Sequence, residues 1–270
     1  MTKDIKIIFI DIDGTLTNNK GIITDYTKTV IKTLTKKGIY VIMCSGRANN
    51  DLIEKSKIAN ASPIITSSNG TLIFDYKKDI KIYESKIDFK LLEEIWDFSL
   101  ENNIDLTFNS IYKRFKTANS RKDATIISNL LKVNENVTQI VAEANSYEAI
   151  NLLMNFIDKF NSLKYGFPIS QHDTSNNVYY ELDIYKDKNE KGNAIRILLD
   201  YLNINKNFSM CIGDGINDFS MFNVCKYKVA MVNGNKKLKE KADFVTKFNN
   251  DEDGVAKFIK NFYKEFMPLL

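Results

Sequence analysis

The sequence predicts an α/β protein in which a doubly wound parallel sheet is interrupted by a second α/β segment. Its 270 residues are 44% hydrophobic and 27% charged, which is enough apolar material for a sizeable core. Short, nearly continuous apolar runs are typical of strands covered on both faces. Helical patterns alternate with such runs near both ends of the chain, whereas the middle follows a different order.

The first third predicts three strands separated by two helices. The strands are expected at Ile5–Ile10, Ile39–Met43 and Pro63–Thr66, and the helices at Thr24–Lys37 and Arg47–Ile58. This order is the repeating unit of a doubly wound sheet. The same alternation returns near the end of the chain, at Lys191–Leu202 (helix), Phe208–Ile212 (strand), a short helix from Asn217 and Tyr227–Val232 (strand).

The middle of the chain predicts an inserted α/β domain. A polar turn separates the apolar runs Thr71–Phe74 and Ile80–Tyr83, which indicates a hairpin leading out of the first sheet. Two helices and two strands are then expected, at Asp88–Asn102, Ile104–Phe108, Val137–Ala142 and Ser146–Phe160. We therefore predict a discontinuous core of residues 1–84 and 187–270 and an insert of residues 85–186.

Composition and charge exclude several classes of partner. Lys and Arg number 38 against 34 Asp and Glu, and this small, interspersed excess predicts no nucleic-acid partner. The longest apolar runs are strand-sized, so no membrane span is expected. Because the N-terminus lacks a long apolar region and a small-residue cleavage site, we expect a cytoplasmic protein.

Two carboxylates follow the first predicted strand in the run Asp11-Ile12-Asp13-Gly14-Thr15-Leu16. Ligands bind at the carboxyl ends of strands in open α/β sheets, and two carboxylates so close would repel each other without a cation. A hard divalent ion such as Mg²⁺ suits oxygen ligands, and Gly14 permits a sharp turn with backbone N–H groups near an anion. The alternative is a polar turn without function.

Three further segments stand at matching places. Gly213-Asp214-Gly215-Ile216-Asn217-Asp218 is a second acidic loop after a predicted strand. Ser45-Gly46-Arg47 follows another strand, where a hydroxyl and helix-opening N–H groups suit phosphate oxygens or a simple helix cap. Lys191 opens the helix before the Gly213 strand, although a lone lysine is more often a surface residue.

Taken together, these four ordered motifs resemble those of the haloacid dehalogenase-like phosphohydrolases, in particular the Cof-type branch. The resemblance implies a Rossmann-like core with a large α/β cap inserted into it. It also implies that Asp11 is a nucleophile and Asp13 a general acid/base. The resemblance assigns Mg²⁺ to Asp11, Asp214 and the backbone carbonyl of Asp13.

The remaining roles implied by the resemblance concern phosphate and its surroundings. Ser45, Lys191 and Asn217 would hold phosphoryl oxygens, and Asp218 would orient Lys191 or a metal-bound water. The substrate-binding set it implies is Gly14, Ser45, Gly46, Arg47, Asn69, Lys191 and Asn217.

Some assignments stay open on the sequence. The segment before Lys191 lacks the proline and glycine frequent in the family, so Lys186 and Lys188 are alternatives for its role. Asn69 could belong to a plain turn and Arg47 to the surface. His172, the only histidine, excludes a multi-histidine metal site. It is expected to be structural or exposed, and contact with substrate from the predicted cap is the alternative.

The function implied is a Mg²⁺-dependent phosphatase acting on a small phosphorylated metabolite, with sugar phosphates favoured. The reaction would pass through an aspartyl-phosphate. One alternative is a sugar phosphomutase, which returns the phosphoryl group to the bound sugar. The other is a non-catalytic sensor of a phosphorylated ligand, although a pure sensor would need no acid/base aspartate.

Overall fold

A computed structural model of the chain describes residues 4–116, 136–166, 168–172, 176–186 and 190–266. The chain divides into two compact units, one formed by residues 1–83 and 190–270 and the other by residues 84–189. The boundary predicted at residue 187 lies outside the described residues. The roles of the two units as catalytic core and cap stay predictions.

The described strands and helices alternate along most of the chain. The strands are β1 (Ile7–Ile10), β2 (Tyr40–Cys44), β3 (Ile64–Ser67), β4 (Leu72–Asp75), β5 (Ile80–Glu84), β6 (Asp105–Asn109), β7 (Arg114–Lys116), β8 (Gln139–Ala144), β9 (Leu163–Tyr165), β10 (Ile169–His172), β11 (Val178–Lys186), β12 (Ser209–Gly213), β13 (Tyr227–Ala230) and β14 (Phe244–Val245). The helices are α1 (Asp25–Lys36), α2 (Asn49–Ala59), α3 (Phe89–Glu101), α4 (Tyr147–Ile157), α5 (Lys191–Tyr201), α6 (Phe219–Phe222), α7 (Lys236–Glu240) and α8 (Gly254–Phe266).

The first unit is built on an eight-stranded sheet in the order β14-β13-β12-β1-β2-β3-β4-β5. The strands from β14 to β3 are parallel, and β4 runs antiparallel to β3. From β1 the chain crosses to β2 on one side, whereas β12 lies on the other side of β1. This reversal of strand order is a topological switch point, where α/β sheets place their ligands.

Burial explains the apolar run that predicts β1. Every residue from Ile7 to Ile10 is 0% exposed, because both faces of the central strand are covered by helices. The helix α1 begins after Thr24, whose side chain accepts a hydrogen bond from the backbone N–H of Thr27. The three cysteines are free and buried.

The second unit contains an antiparallel sheet in the order β10-β11-β8-β6-β7, with β9 paired to β11. Its apolar side chains form a separate core with residues of α3 and α4. Ile95 and Leu153 of the helices pack there with Phe108 and Ile140 of the strands, all 0% exposed. Each unit therefore has its own hydrophobic core.

The structure confirms the predicted α/β class and differs from the sequence prediction in detail. Most predicted elements are present with ends displaced by one or two residues. The predicted hairpin does not lead out of the first sheet, because β4 pairs with β3 along four buried residues and β5 continues the same sheet. Four short strands of two to four residues were not predicted, namely β7, β9, β10 and β14. The helix α8 was not predicted either. None of the described helices is both long enough and apolar enough to cross a membrane.

Candidate active site

The Asp11 loop, residues 11–17, leaves the carboxyl end of β1 and bends back beside β12. The backbone N–H of Asp11 donates to the carbonyl of Ile212, 3.0 Å away, so Asp11 stays tied to the neighbouring strand. Gly14 then turns the chain with φ +74°, a conformation that favours glycine. A Cβ at Gly14 would lie 2.5 Å from Oδ2 of Asp214, so the close approach of the two acidic loops also requires glycine there.

Lys191 lies between two aspartates at the centre of this site. Its Nζ is 2.5 Å from Oδ1 of Asp11 and 2.7 Å from Oδ1 of Asp218, and its side chain is fully buried. Gly192 allows this placement, because a Cβ there would lie 2.2 Å from the carbonyl oxygen of Ser220. Burial alone would lower the pKa of Lys191, but the carboxylates of Asp11 and Asp218 outweigh burial and raise it.

The structure distinguishes Lys191 from Lys186, one of the two alternative lysines. Lys186 lies in the second unit, where its Nζ is 3.6 Å from Oδ2 of Asp88. Lys188 lies outside the described residues. Of the two candidates that the structure describes, Lys191 is the one bonded to Asp11.

Asp218 closes the second acidic loop on itself. Its Oδ2 accepts hydrogen bonds from the backbone N–H groups of Asp214 and Gly215, both at 2.9 Å, while its Oδ1 accepts from Lys191. The side chain is 0% exposed. Because both of its oxygens already have donors, Asp218 orients the lysine and the loop backbone.

Asp11, Asp214 and Asp218 form a cluster with an excess of negative charge. One carboxylate oxygen from each of the three lies within 4.8 Å of the other two, and Lys191 is the cation bonded to Asp11 and Asp218. Burial raises the pKa of Asp11 well above its usual value, with Lys191 opposing the shift and the other two aspartates adding to it. Burial likewise raises the pKa of Asp214 to about 6, against the hydrogen bond from Thr15.

This donor set fits a hard divalent cation. Oδ1 of Asp11 accepts from Lys191, and Oδ1 of Asp214 accepts from the Thr15 hydroxyl at 2.6 Å. In the described part of the chain, no donor is bonded to the Oδ2 atom of either residue. Two carboxylate oxygens at the switch point are thus left for a cation of the kind that prefers oxygen, such as Mg²⁺.

The carboxylate of Asp13 points to a different partner. Arg47 donates to both of its oxygens, from Nε at 2.8 Å and from Nη2 at 2.6 Å. The two side chains are 56% and 33% exposed, so this pair lies at the rim of the site. Hydrogen bonding to Asp13 is the main cause that raises the pKa of Arg47.

A third group of predicted residues gathers around the turn after β3. Asn69 donates its backbone N–H to the carbonyl of Ser45 at 3.0 Å, and the side chain of Asn217 donates to Oδ1 of Asn69 at 3.4 Å. Ser68, Asn69 and Gly70 have consecutive φ values of +49°, +54° and +95°, a costly backbone path that is typical of functional sites. The structure therefore brings Ser45, Asn69 and Asn217 together.

Comparison with known proteins decides the family. The haloacid dehalogenase-like hydrolase family matches residues 8–259 of this chain. The chain belongs to this family. It is therefore a hydrolase of this family. Its acidic cluster lies at the carboxyl ends of β1 and β12.

Relatives in this family match nearly the whole chain. The phosphatase YwpJ of Bacillus subtilis is 27% identical over 95% of this chain and 99% of its own length. The 5-amino-6-(5-phospho-D-ribitylamino)uracil phosphatase YwtE of Bacillus subtilis is 28% identical over 94% of this chain and 96% of its own. A haloacid dehalogenase-like hydrolase from Bacteroides thetaiotaomicron has the same fold, with a TM-score of 0.81 at 21% identity over 96% of this chain and 99% of that one.

Two residues that contact the acidic loops were not predicted from the sequence. Thr15 donates to Asp214, and Asn233 donates from Nδ2 to the carbonyl of Gly14 at 2.8 Å. Thr15 stands inside the motif that gives Asp11 and Asp13, so its position was visible, whereas nothing in the local sequence marks Asn233. His172 is exposed on β10 of the second unit.

Proposed function

We propose that this protein of the haloacid dehalogenase-like family is a Mg²⁺-dependent phosphatase that hydrolyses a small phosphorylated sugar or polyol. The observation that carries the proposal is the buried contact of Lys191 with Asp11, beside Asp214 at the switch point of the sheet. The ribityl phosphate in the name of one relative supports a polyol phosphate as the substrate class. The cytoplasmic location stays a prediction.

In the first step, one Asp11 oxygen attacks phosphorus and the bond from phosphorus to the alcohol oxygen breaks. Lys191 holds the Asp11 carboxylate in place for this attack through its contact with Oδ1. Asp13 gives a proton to the departing alcohol, which leaves an aspartyl-phosphate on Asp11. The alcohol is the first product.

In the second step, Asp13 takes a proton from water, and the water oxygen attacks the phosphorus of the intermediate. Inorganic phosphate leaves and the Asp11 carboxylate is restored. Ser45 and Asn217, which each share a hydrogen bond with Asn69, are the groups we assign to the phosphoryl oxygens, together with the ammonium of Lys191.

Asp11, Asp214 and the backbone carbonyl of Asp13 are the groups we assign to Mg²⁺. When bound, the ion would neutralise the carboxylates and phosphate and orient the phosphoryl group. The unshared Oδ2 atoms and the raised pKa of both aspartates support this assignment, because buried carboxylates without enough cations are costly.

Phosphate release tests the proposal. The protein is incubated with Mg²⁺ and an aryl phosphate or a panel of sugar and polyol phosphates, and Asp11→Asn is compared with parent protein. We expect release by the parent and loss of at least about 1,000-fold in Asp11→Asn, because an amide is no nucleophile here. Asp25→Asn is the matched control, since that side chain is 98% exposed.

Other results would contradict the proposal in distinct ways. Full release in the presence of a chelator would refute the metal site. Isomerised sugar phosphate without release would favour a mutase. If a sugar phosphate stabilises the folded protein but is itself not converted, the result would favour a sensor.

A further inference from the structure

The loop after β13, residues 231–235, is bonded to the backbone on both sides of the Asp214 turn. The N–H of Met231 donates to the carbonyl of Gly213 at 3.0 Å, and the N–H of Asn235 donates to the carbonyl of Asp214 at 2.8 Å. The metal-binding candidate Asp214 is therefore held by its own backbone against this loop. We call residues 231–235 the clasp loop.

The clasp loop reaches the Asp11 loop through one side chain. Nδ2 of Asn233 donates to the carbonyl of Gly14 at 2.8 Å, and Oδ1 of Asn233 accepts from the N–H of Asn250 at 3.3 Å. Asn250 is buried and donates in turn to the carbonyl of Thr17 at 3.0 Å. Both ends of the Asn233 amide are thus in use, and the chain of bonds runs to the far end of the Asp11 loop.

Gly234 brings the clasp loop against Asp214. A Cβ at this position would lie 2.9 Å from Cα of Asp214 and 3.0 Å from its carbonyl oxygen. Both atoms belong to the backbone and cannot turn aside as a side chain would. Any larger residue at position 234 must therefore displace Asp214 or the clasp loop.

We propose that the clasp loop sets the separation between the Asp11 and Asp214 carboxylates, with Asn233 and Gly234 as positioning residues of the metal site. Two neighbouring carboxylates repel each other, so their loops need an external tie to stay at the spacing a cation requires. The hydrogen bond from Thr15 to Asp214 joins the two loops directly, and the clasp loop joins their backbones. This inference rests on the proposed function.

Measuring Mn²⁺ binding by electron paramagnetic resonance tests the role of the clasp loop without relying on activity. Asn233→Asp keeps the acceptor for Asn250 but loses the donor to Gly14. We expect Mn²⁺ to bind about 10-fold more weakly, since groups that orient metal ligands commonly contribute 10- to 100-fold to affinity. The added negative charge alone would strengthen Mn²⁺ binding, so weaker binding is specific to the lost hydrogen bond with Gly14.

Gly234→Ala should weaken Mn²⁺ binding more than Asn233→Asp, because the new methyl group displaces the Asp214 backbone. For Asn233→Asp, raising the Mg²⁺ concentration should restore kcat for an aryl phosphate, a recovery that a general loss of packing would not give. Far-ultraviolet circular dichroism checks that each variant is folded. If Gly234→Ala does not fold, Asn233→Asp decides the question.

Two matched controls carry the same chemical changes elsewhere. Asn207→Asp adds the same charge at an exposed site just before the amino end of β12, whereas Asp214 follows the carboxyl end of this strand. Gly166→Ala adds a methyl group in the second unit, where its nearest contact is 3.7 Å away. Both should bind Mn²⁺ like the parent. Parent-like Mn²⁺ binding in Asn233→Asp and Gly234→Ala would overturn the clasp, whereas a parent that neither binds Mn²⁺ nor releases phosphate would overturn the proposed function.

Discussion

Two ion pairs hold the two aspartates of the Asp11 loop, and they lie in opposite environments. The side chains of Lys191 and Asp11 are 0% and 8% exposed, whereas those of Arg47 and Asp13 are 33% and 56% exposed. The first pair shares its lysine with Asp218, and the second is a two-point contact between one guanidinium and one carboxylate. One pair is fixed by its surroundings, and the other is open to water.

The difference matches the tasks that we propose for the two aspartates. A nucleophile must stay in line with the phosphorus atom, and burial with a fixed cation keeps it there. An acid/base group must exchange protons with substrate and water, so its partner has to let it go. A half-exposed ion pair is weak enough to open during turnover.

Removing the buried cation should have the largest effect. In Lys191→Met, Asp11 and Asp218 lose their shared ammonium, and breaking a buried pair costs about 3 to 5 kcal/mol of the free energy of unfolding. Phosphate release should fall at least about 100- to 1,000-fold, because a donor to the reacting groups is lost. Urea unfolding and steady-state kinetics measure the two effects.

Lys186→Met is the matched control for this change. Lys186 and its partner Asp88 are 37% and 59% exposed at 3.6 Å, so we expect a change in unfolding free energy below about 1 kcal/mol. A Lys191→Met protein as stable and as active as Lys186→Met would contradict the central role of Lys191.

Removing the exposed cation should have a smaller effect that depends on the substrate. In Arg47→Ala, the Asp13 carboxylate loses the two bonds that orient it before it is released, so proton transfer to a poor leaving group should suffer about 10- to 100-fold. An aryl phosphate, whose leaving group needs little protonation, should be affected only a few-fold. Values of kcat for an alkyl and an aryl phosphate give the comparison.

The alternative, that Arg47 contacts substrate, predicts a different pattern. Equal losses for both substrates with a raised KM would indicate contact with the phosphate group. A double-mutant cycle with Asp13→Asn separates the two cases, because a residue that acts through Asp13 has little further effect once Asp13 is changed.

The sequence predicts the central strands because parallel strands buried on both faces leave continuous apolar runs, as β1 does. Short strands such as β7 and β9 leave no such pattern, since three residues cannot show a period. The helix α8 does carry a pattern, with Val255, Ile259 and Phe262 buried at helical spacing, and could have been predicted from it.

The acidic loops are visible in sequence because each is a compact motif at the end of a strand. The contacts that tie them are not, even where the residue itself was predicted, as Arg47 was. Asn233 meets Gly14 across 219 positions and Arg47 meets Asp13 across 34, so neither contact has a local pattern. These contacts follow from strand order and loop packing, which the tertiary structure alone determines.

The smallest expected effect comes from the excess negative charge around the buried Lys191–Asp11 pair, and in particular from the carboxylate of Asp214. Burial raises the pKa of Asp214 to about 6 from a usual value of 3.8, so ionising this group costs stability in the metal-free protein. The contribution of Asp214 to stability falls as pH rises from about 4 to about 6 and stays low above it. Asp214→Asn keeps the acceptor for Thr15 without the charge.

In chelator at pH 7.5, Asp214→Asn should therefore be more stable than the parent by about 1 to 2 kcal/mol, as measured by urea unfolding. The gain should shrink towards zero near pH 4, where Asp214 is protonated in the parent as well. Mg²⁺ should raise the Tm of the parent and leave that of Asp214→Asn unchanged, because the cation and the lost charge relieve the same repulsion. A variant less stable than the parent at pH 7.5 would show that the Asp214 carboxylate is already compensated by the protein, and the metal site would lose its electrostatic basis.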